Sequence, residues 1–156
     1  MRRFVIFLLF LIFTSSTLFA QQNKAKGKIA KDLVEKGIQY YLKYGDKKAY
    51  AEFNNKKGQF TEGEYYLFAA TIDSEKSSII TAHGGSPGLV GKDLFTIKDP
   101  DKNQIGNLFI SALKNKDSAW VTYRWTNPAT RKIAVKETFL KRIPGKDLFI
   151  GCGYYQ

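Results

Sequence analysis

The chain has 156 residues, of which 44% are hydrophobic and 15% aromatic, and this suits one domain with a packed core. Its net charge of +11 comes mainly from lysines spread along the chain. Because they form no run of about five or six like charges, we expect a solvated basic surface and exclude a nucleic-acid-binding tract. The single cysteine, Cys152, excludes an intramolecular disulfide.

The beginning of the chain has the three parts of an export signal: basic residues, an apolar stretch at Phe4–Phe13, and a small, polar stretch at Thr14–Ala20. We predict a signal peptide over residues 1–20, cleaved after Ala20, and therefore a periplasmic or secreted protein. The apolar stretch is shorter than the roughly 20 residues of a membrane span, and no later segment is a candidate. Retention of this segment as an uncleaved anchor is the alternative.

Two helices are predicted to follow, after a frayed polar lead-in at residues 21–28. From Ile29 to Tyr44 apolar residues recur at helical spacing, and Gly45 is suited to end the helix. Asp46 is then a suitable N-cap for a shorter helix over residues 47–54.

The rest of the chain carries strand and turn signals, with one more helix predicted over residues 103–116. Five segments have the composition of strands: residues 64–73, 78–82, 119–125, 132–143 and 147–155. This order predicts an α+β domain over residues 21–156 with an antiparallel sheet of about five strands.

The stretch Ser78–Gly91 leads from the second predicted strand into the only histidine, His83, and then into a glycine-rich turn. Since glycines let the backbone approach a ligand closely, we expect a small polar ligand to be recognised here. The plain alternative is that His83 ends a strand and the glycines only form turns.

Several short motifs occur in a characteristic order: YYLKYG at residues 40–45, TAHG at 81–84, PGLVGKDL at 87–94, WVTYRWTNP at 120–128 and FLKRIPG at 139–145. Together they resemble the single Cache domain, an extracellular PAS-like sensor module, most closely its type 2. The resemblance implies a PAS-like sheet with a long N-terminal helix packed on one face. It also implies a pocket on the other face for a small ligand, often a short organic acid.

Cache modules usually lie outside the membrane, in chemoreceptors and histidine kinases. From this sequence we expect no transmembrane helix or output domain after Tyr155. We therefore expect an exported, stand-alone domain that binds a small organic acid and works with a separate membrane receptor or acts as a scavenger. Phe139, where the family often has tyrosine, and Cys152, where a small residue is usual, leave the identity of the ligand open.

Strand alternation, together with His83, selects candidate ligand-binding residues on one face of the predicted sheet. A buried carboxylate needs an opposite charge or several donors, which Lys136, Tyr123 and His83 would supply. Aromatic walls would exclude water and limit the size of the ligand. The predicted set is Tyr66, Phe68, His83, Tyr123, Trp125, Lys136 and Thr138. The alternatives are a solvated lysine at a sheet edge and ordinary aromatic core.

No catalytic arrangement stands out. His83 and Cys152 have no identifiable third residue to orient them, and there is no Gly-x-Ser-x-Gly motif, metal-ligand spacing or Cys-x-x-Cys-His haem motif. We therefore predict a binding protein without enzymatic activity, metal or cofactor. The alternative function is a secreted basic module that docks on an acidic protein or a membrane surface and takes no small ligand.

Overall fold

The computed structural model of the protein describes residues 18–74 and 76–156 with their side chains, and residues 2–17 only as part of the first helix. The predicted signal peptide, residues 1–20, lies outside the fully described residues except for its last three, so its cleavage after Ala20 stays a prediction. Among the described residues, no helix is both long and apolar enough to cross a membrane.

The first element, α1, is a long helix, Arg2–Phe53, interrupted at Gly45, where φ is 73° and ψ is 177°. Such a positive φ favours glycine, because it has no Cβ to clash with the backbone. The prediction of two helices separated at Gly45 is therefore confirmed.

The face that α1 buries includes Val34, Gly37 and Tyr41 of the predicted apolar stripe, but not its two ends. Ile29 and Tyr44 are 50% and 41% exposed. The buried residues are Ala30, Val34, Ile38 and Tyr41. Gly37 allows this face of the helix to pack closely, because a Cβ at this position would lie only 2.4 Å from Cδ1 of Leu67. The helix thus approaches the sheet most closely where it has the least side chain.

The frayed lead-in predicted at residues 21–28 is wrong, because these residues continue the helix. The Lys26 ammonium donates a hydrogen bond to the carbonyl of Tyr155 at 2.7 Å and lies 3.3 Å from Oε1 of Glu64. Gly27 faces Tyr154 and Trp120 closely enough that an added Cβ would just touch both rings. The partners of Lys26 and Gly27 are distant in the sequence, so the composition of residues 21–28 could not predict that the helix continues there.

Five strands form one antiparallel sheet: β3 (Phe68–Thr71), β4 (Ile80–His83), β5 (Ser118–Thr126), β6 (Ile133–Arg142) and β7 (Leu148–Tyr155). Their spatial order is β4-β3-β7-β6-β5. The predicted α+β class and the five-stranded antiparallel sheet are confirmed, with the last strand of the chain at the centre.

The first predicted strand, residues 64–73, is divided in two. Its start forms a small hairpin in which β1 (Thr61–Glu62) pairs with β2 (Tyr65–Tyr66). After Leu67 the chain joins the main sheet as β3. Tyr66 and Phe68 still belong to the same buried cluster, as alternation predicts.

The sheet has two different covers. Helix α1 packs on one face, against residues such as Ala69, Phe139 and Ile150. Shorter elements lie over the other face: the 3₁₀ helices η1 (Pro87–Leu89) and η2 (Leu94–Thr96) and the helix α2 (Ile105–Leu113). All the predicted ligand-binding residues fall on or beside this second face.

Candidate functional site

A row of polar residues crosses the sheet beneath the short elements. Antiparallel pairing places Tyr155 of β7 beside Lys136 of β6, and Lys136 beside Tyr123 of β5. All three are buried. Since directly paired residues point to the same face, the row brings one ammonium and two phenol groups into one apolar layer.

Lys136 is the central group of this row and is fully buried. Its Nζ donates a hydrogen bond to the Tyr66 hydroxyl at 2.7 Å and lies 4.0 Å from the centre of the Tyr66 ring and 5.2 Å from that of Tyr155. No described carboxylate forms an ion pair with it. Burial lowers the pKa of Lys136 from 10.5 to about 7, and the nearby Cys152 and Glu64 offset this effect only in part.

Two glycines of β7 make room for these side chains. A Cβ at Gly153 would lie 2.4 Å from Oγ1 of Thr138 and 2.7 Å from Cε of Lys136, and one at Gly151 would lie 2.3 Å from the ring of Phe68. The central strand therefore presents bare backbone to the site. This allows the stem of Lys136 to cross over β7 and its ammonium to reach the two tyrosine rings.

His83 ends β4 with its ring among aromatic neighbours. The ring centre is 5.1 Å from that of Tyr66 and 5.8 Å from that of Phe68. The backbone N–H of Ser86 donates to Nδ1 at 2.9 Å, which assigns the proton of the neutral ring to Nε2. Burial, and then the charge of Lys136, lower the pKa of His83 to about 3, so the ring is neutral at physiological pH.

The remaining predicted residues join this group through β5 and β6. The Thr138 hydroxyl donates to the Tyr123 hydroxyl at 3.3 Å. Burial raises the pKa of Tyr123, which stays a neutral phenol. The ring of Tyr123 packs edge-on against Phe109 of α2 and against Trp125, with centres 5.4 and 6.0 Å apart.

A small cavity of about 20 Å³, here called the inner cavity, lies between the sheet and the short elements. This volume is about that of one water molecule. Four predicted residues line it, namely Phe68, His83, Tyr123 and Trp125. Lys136, Thr138 and Tyr66 do not line it. The other lining residues are aliphatic or aromatic: Ile80, Leu89, Leu94, Ile97, Ile105 and Phe109.

The family model described as Single Cache domain 2 matches residues 19–156. The chain belongs to this Cache family. The resemblance inferred from the sequence motifs is therefore confirmed over nearly all of the chain.

Proteins similar to this Cache domain belong to chemotaxis systems. Methyl-accepting chemotaxis protein McpP of Pseudomonas putida is 29% identical over 73 residues, which are 47% of this chain and 13% of that protein. A methyl-accepting chemotaxis protein structure from Vibrio parahaemolyticus matches with a TM-score of 0.68 and 25% identity, covering 87% of this chain and 92% of the other.

A solved Cache chemosensory domain described for its recognition of carboxylic acids has the same fold. It matches with a TM-score of 0.67 and 19% identity, over 90% of this chain and 97% of the other. These relatives are chemotaxis proteins or chemosensory domains, and this chain shares the Cache fold with the two solved structures. Cache domains of this kind are sensory, ligand-binding modules.

The sequence interpretation missed three groups of this site. Tyr155 completes the row beside Lys136, and its hydroxyl donates to the carbonyl of Thr126 at 2.8 Å. Its position two residues after Gly153 on a strand was the available signal. Phe109 and Leu89 line the inner cavity from α2 and η1. Helical periodicity placed Phe109 on an apolar face but could not show which surface that face covers.

A second, larger depression, here called the outer cleft, lies beside the inner cavity and is open to solvent. It has a volume of about 620 Å³. Tyr66, Leu89 and Trp125 form its inner wall, and Lys56 and Arg131 lie on its exposed side. The glycines after His83 are essential here, because a Cβ at Gly85 would lie 2.7 Å from the Tyr66 ring.

Cys152 lies apart from these groups, in the cluster beneath α1. Burial raises the pKa of its thiol to about 12, which disfavours the reactive thiolate at neutral pH. His83 belongs to the other face, and the two side chains cannot act as a pair. Within the fully described part of the chain, no group of three or more His, Cys, Asp or Glu residues is placed to hold a metal ion.

Proposed function

We propose that this Cache domain is an extracytoplasmic sensor that binds a short organic acid as its carboxylate, between the inner cavity and the row of donors. One observation carries the proposal. The amine of Lys136 is completely buried and forms no ion pair with a described carboxylate. A buried charge without a partner is unfavourable, and a bound anion would supply that partner.

Neutral donors beside Lys136 support the same ligand class. The Nε2 proton of His83 and the hydroxyl of Tyr123 belong to residues that line the inner cavity. Carboxylates bind well where a cation and several neutral donors converge. The Cache domain known for carboxylic acid recognition shares this fold, although at 19% identity it supports only the comparison of folds.

The cavity lining favours a small monocarboxylate. No acidic side chain lines the inner cavity, so the ammonium of an amino acid would have no partner there. No lysine or arginine lines it either, so Lys136 is the one cation offered to the ligand and a second carboxylate of a dicarboxylate would have no cationic partner. Apart from His83 and Tyr123 the walls are apolar, and they suit a short aliphatic chain.

Binding requires the cavity to open, because about 20 Å³ holds no more than one water molecule. Tyr66 is the side chain that separates Lys136 from the outer cleft, since it both accepts the hydrogen bond of the ammonium and lines the cleft. We expect an acid to take over that hydrogen bond. The exchange would turn a chemical event at Lys136 into a movement of the β1–β2 hairpin that carries Tyr66.

A thermal-shift screen of the purified protein tests the proposal. The panel contains acetate, propionate and butyrate, with succinate and alanine to test the charge argument. At a hundredfold excess over Kd a ligand adds about 2.7 kcal/mol to the free energy of unfolding, which corresponds to several degrees in Tm. Lys136→Met and Tyr123→Phe should lose the shift, whereas Lys132→Met, an exposed control, should keep it.

The opposite results are equally informative. If an acid still raised the Tm of Lys136→Met, contact between the acid and Lys136 would be ruled out. The absence of any shift, together with salt-dependent binding to acidic proteins or anionic vesicles, would favour the basic interaction module as the function. A rise in Tm with alanine or succinate, but not with the monocarboxylates, would contradict the inference that the cavity lining favours a small monocarboxylate.

A further inference from the structure

The outer cleft and the inner cavity meet at two side chains. Leu89 of η1 and Trp125 of β5 line both of them. Both are half-buried, whereas seven of the other eight residues around the inner cavity are buried. Ile97 is the exception. The wall between Leu89 and Trp125 is therefore the thinnest barrier between the cavity and solvent on the side of the cleft.

The elements that carry this barrier are lightly held. Leu89 lies in a 3₁₀ helix of three residues, between Gly88 and Gly91. Trp125 lies near the end of β5, the edge strand of the sheet, so only β6 pairs with it. Small, local movements of η1 or of the indole can thus join the two spaces without disturbing the sheet.

The charge of the outer cleft has one sign. Lys56 and Arg131 line it, and no acidic residue does. Both are exposed, and neither is in an ion pair with a described carboxylate. The hydroxyl of Thr61, also in the lining, is buried and has no hydrogen-bond partner among the described residues. A concave surface with unpaired cations raises the local concentration of anions.

We infer that the outer cleft is the anion entrance of the sensor site, where Lys56 and Arg131 attract the ligand and the Leu89–Trp125 pair forms the gate to the inner cavity. The inference rests on the proposed function for the nature of the ligand. The attraction of anions by Lys56 and Arg131 does not depend on the proposed function, because any small anion should be concentrated in the cleft.

The first experiment uses iodide, a quencher of tryptophan fluorescence, and needs no acid ligand. The chain has two tryptophans, so a Trp120→Phe background leaves Trp125, at the gate, as the reporter. At constant ionic strength, Lys56→Gln combined with Arg131→Gln should lower quenching by iodide roughly twofold and raise quenching by caesium. Quenching by neutral acrylamide should not change.

The sequence offers matched controls. Lys57 and Lys132 are exposed neighbours of the two cleft cations along the chain, and neither lines the cleft. The double substitution Lys57→Gln with Lys132→Gln removes the same net charge and should leave iodide quenching unchanged. If the two double variants lowered iodide quenching equally, only the overall charge of the protein would matter, and the special role of the cleft would be overturned.

The second experiment measures binding kinetics with propionate, by stopped flow on the fluorescence of Trp125. The cleft variant should bind roughly 3–10-fold more slowly at low salt, with an unchanged dissociation rate, and the difference should shrink at high salt. Leu89→Ala should raise the association rate because it widens the gate, and it should also raise the dissociation rate because Leu89 lines the inner cavity.

The two inferences fail in different ways. Propionate binding with an association rate that neither the cleft variant nor Leu89→Ala alters would overturn the entrance and leave the sensor function intact. If none of the acids in the panel bound, the proposed function would fail and the entrance with it. A change in iodide quenching would then identify the cleft only as an anion-attracting surface.

Discussion

The hydroxyl of Tyr66 accepts a hydrogen bond from the Lys136 ammonium at 2.7 Å, and the ring of the same residue lies 4.0 Å from that nitrogen. One side chain thus provides both the polar and the π contact of a fully buried cation. These contacts do not replace the lost hydration, since the pKa of Lys136 still falls to about 7. The protonated form of Lys136 is therefore unfavourable in the free protein, and an anion beside it would favour that form.

Lys136→Met should stabilise the free protein most below pH 7 and progressively less as the pH rises above 7. The folded pKa of about 7 lies below the unfolded value of 10.5, so between these values the unfolded chain holds a proton that the folded chain has released. Wild-type stability consequently rises with pH in this window, by up to about 1.4 kcal/mol per unit, and the variant lacks that rise.

Urea unfolding of both proteins at pH 7, 8 and 9 measures this difference. In Lys136→Met the Tyr66 hydroxyl loses its partner, which offsets part of the gain in stability. The test is therefore how the difference in free energy of unfolding changes with pH, and not its size at one pH. Lys132→Met, at an exposed position before β6, should show no such trend. A difference between wild type and Lys136→Met that is constant across the three pH values would contradict the assignment.

Binding of a carboxylate should be accompanied by proton uptake at alkaline pH. An anion beside Lys136 raises its pKa, so at pH 8 the protein should take up nearly one proton per acid, and at pH 5.5 almost none. Titration calorimetry in buffers of different ionisation enthalpy measures the number of protons. Affinity should also fall as the pH rises above 7. Proton uptake that is zero at pH 8 would show that the acid does not contact this amine.

The general fold could be predicted from the sequence because its signals are local. Gly45 separates two helices, strand alternation puts Tyr66 with Phe68 and Tyr123 with Trp125, and four of the five strands have clear boundaries. The face buried by α1 was less accessible, because the choice between Ile29 and Ala30 depends on the close approach at Gly37 to Leu67, a residue distant in sequence.

The site was predicted as a set of residue types, but not as a geometry. Alternation selects Lys136 and Thr138 correctly for the face opposite α1, but it cannot show that Lys136 lies behind Tyr66 and outside the cavity lining. That arrangement depends on the absence of side chains at Gly151 and Gly153 in a neighbouring strand. Tyr155 and Leu89 were missed for the same reason, since only the assembled sheet shows what they face.

Gly153→Ala should destabilise the protein and disturb the site. Its Cβ would lie 2.4 Å from Oγ1 of Thr138, 2.7 Å from Cε of Lys136 and 2.7 Å from the carbonyl of Glu137. Because Thr138 and Glu137 belong to β6, inside the packed sheet, we expect the free energy of unfolding to fall by about 1–3 kcal/mol. Gly88→Ala is the control, because nothing lies within 4 Å of its Cβ position. Urea unfolding compares the two variants, and equal losses would contradict this account of β7.

His83 should remain neutral in the folded protein far below its ordinary pKa of 6.5, with its proton on Nε2. Burial and the neighbouring Lys136 lower its pKa to about 3. Between these values the unfolded chain gains a proton that the folded chain does not. The stability present above pH 6.5 is therefore lost as the pH falls towards 3, by up to about 1.4 kcal/mol per unit. His83→Gln should lose stability less steeply over this range, because it has no imidazole to protonate.

Nitrogen NMR gives a direct test, because the chain has only one histidine. The ¹⁵N shifts should report a neutral Nε2–H ring from pH 8 to pH 4, since Nδ1 accepts the hydrogen bond of the Ser86 N–H. In Lys136→Met the midpoint of the His83 titration should rise, because the neighbouring positive charge is gone. A midpoint near 6.5 in the wild-type protein, or a proton on Nδ1, would show that this ring is not the neutral Nε2 donor on which the acid site depends.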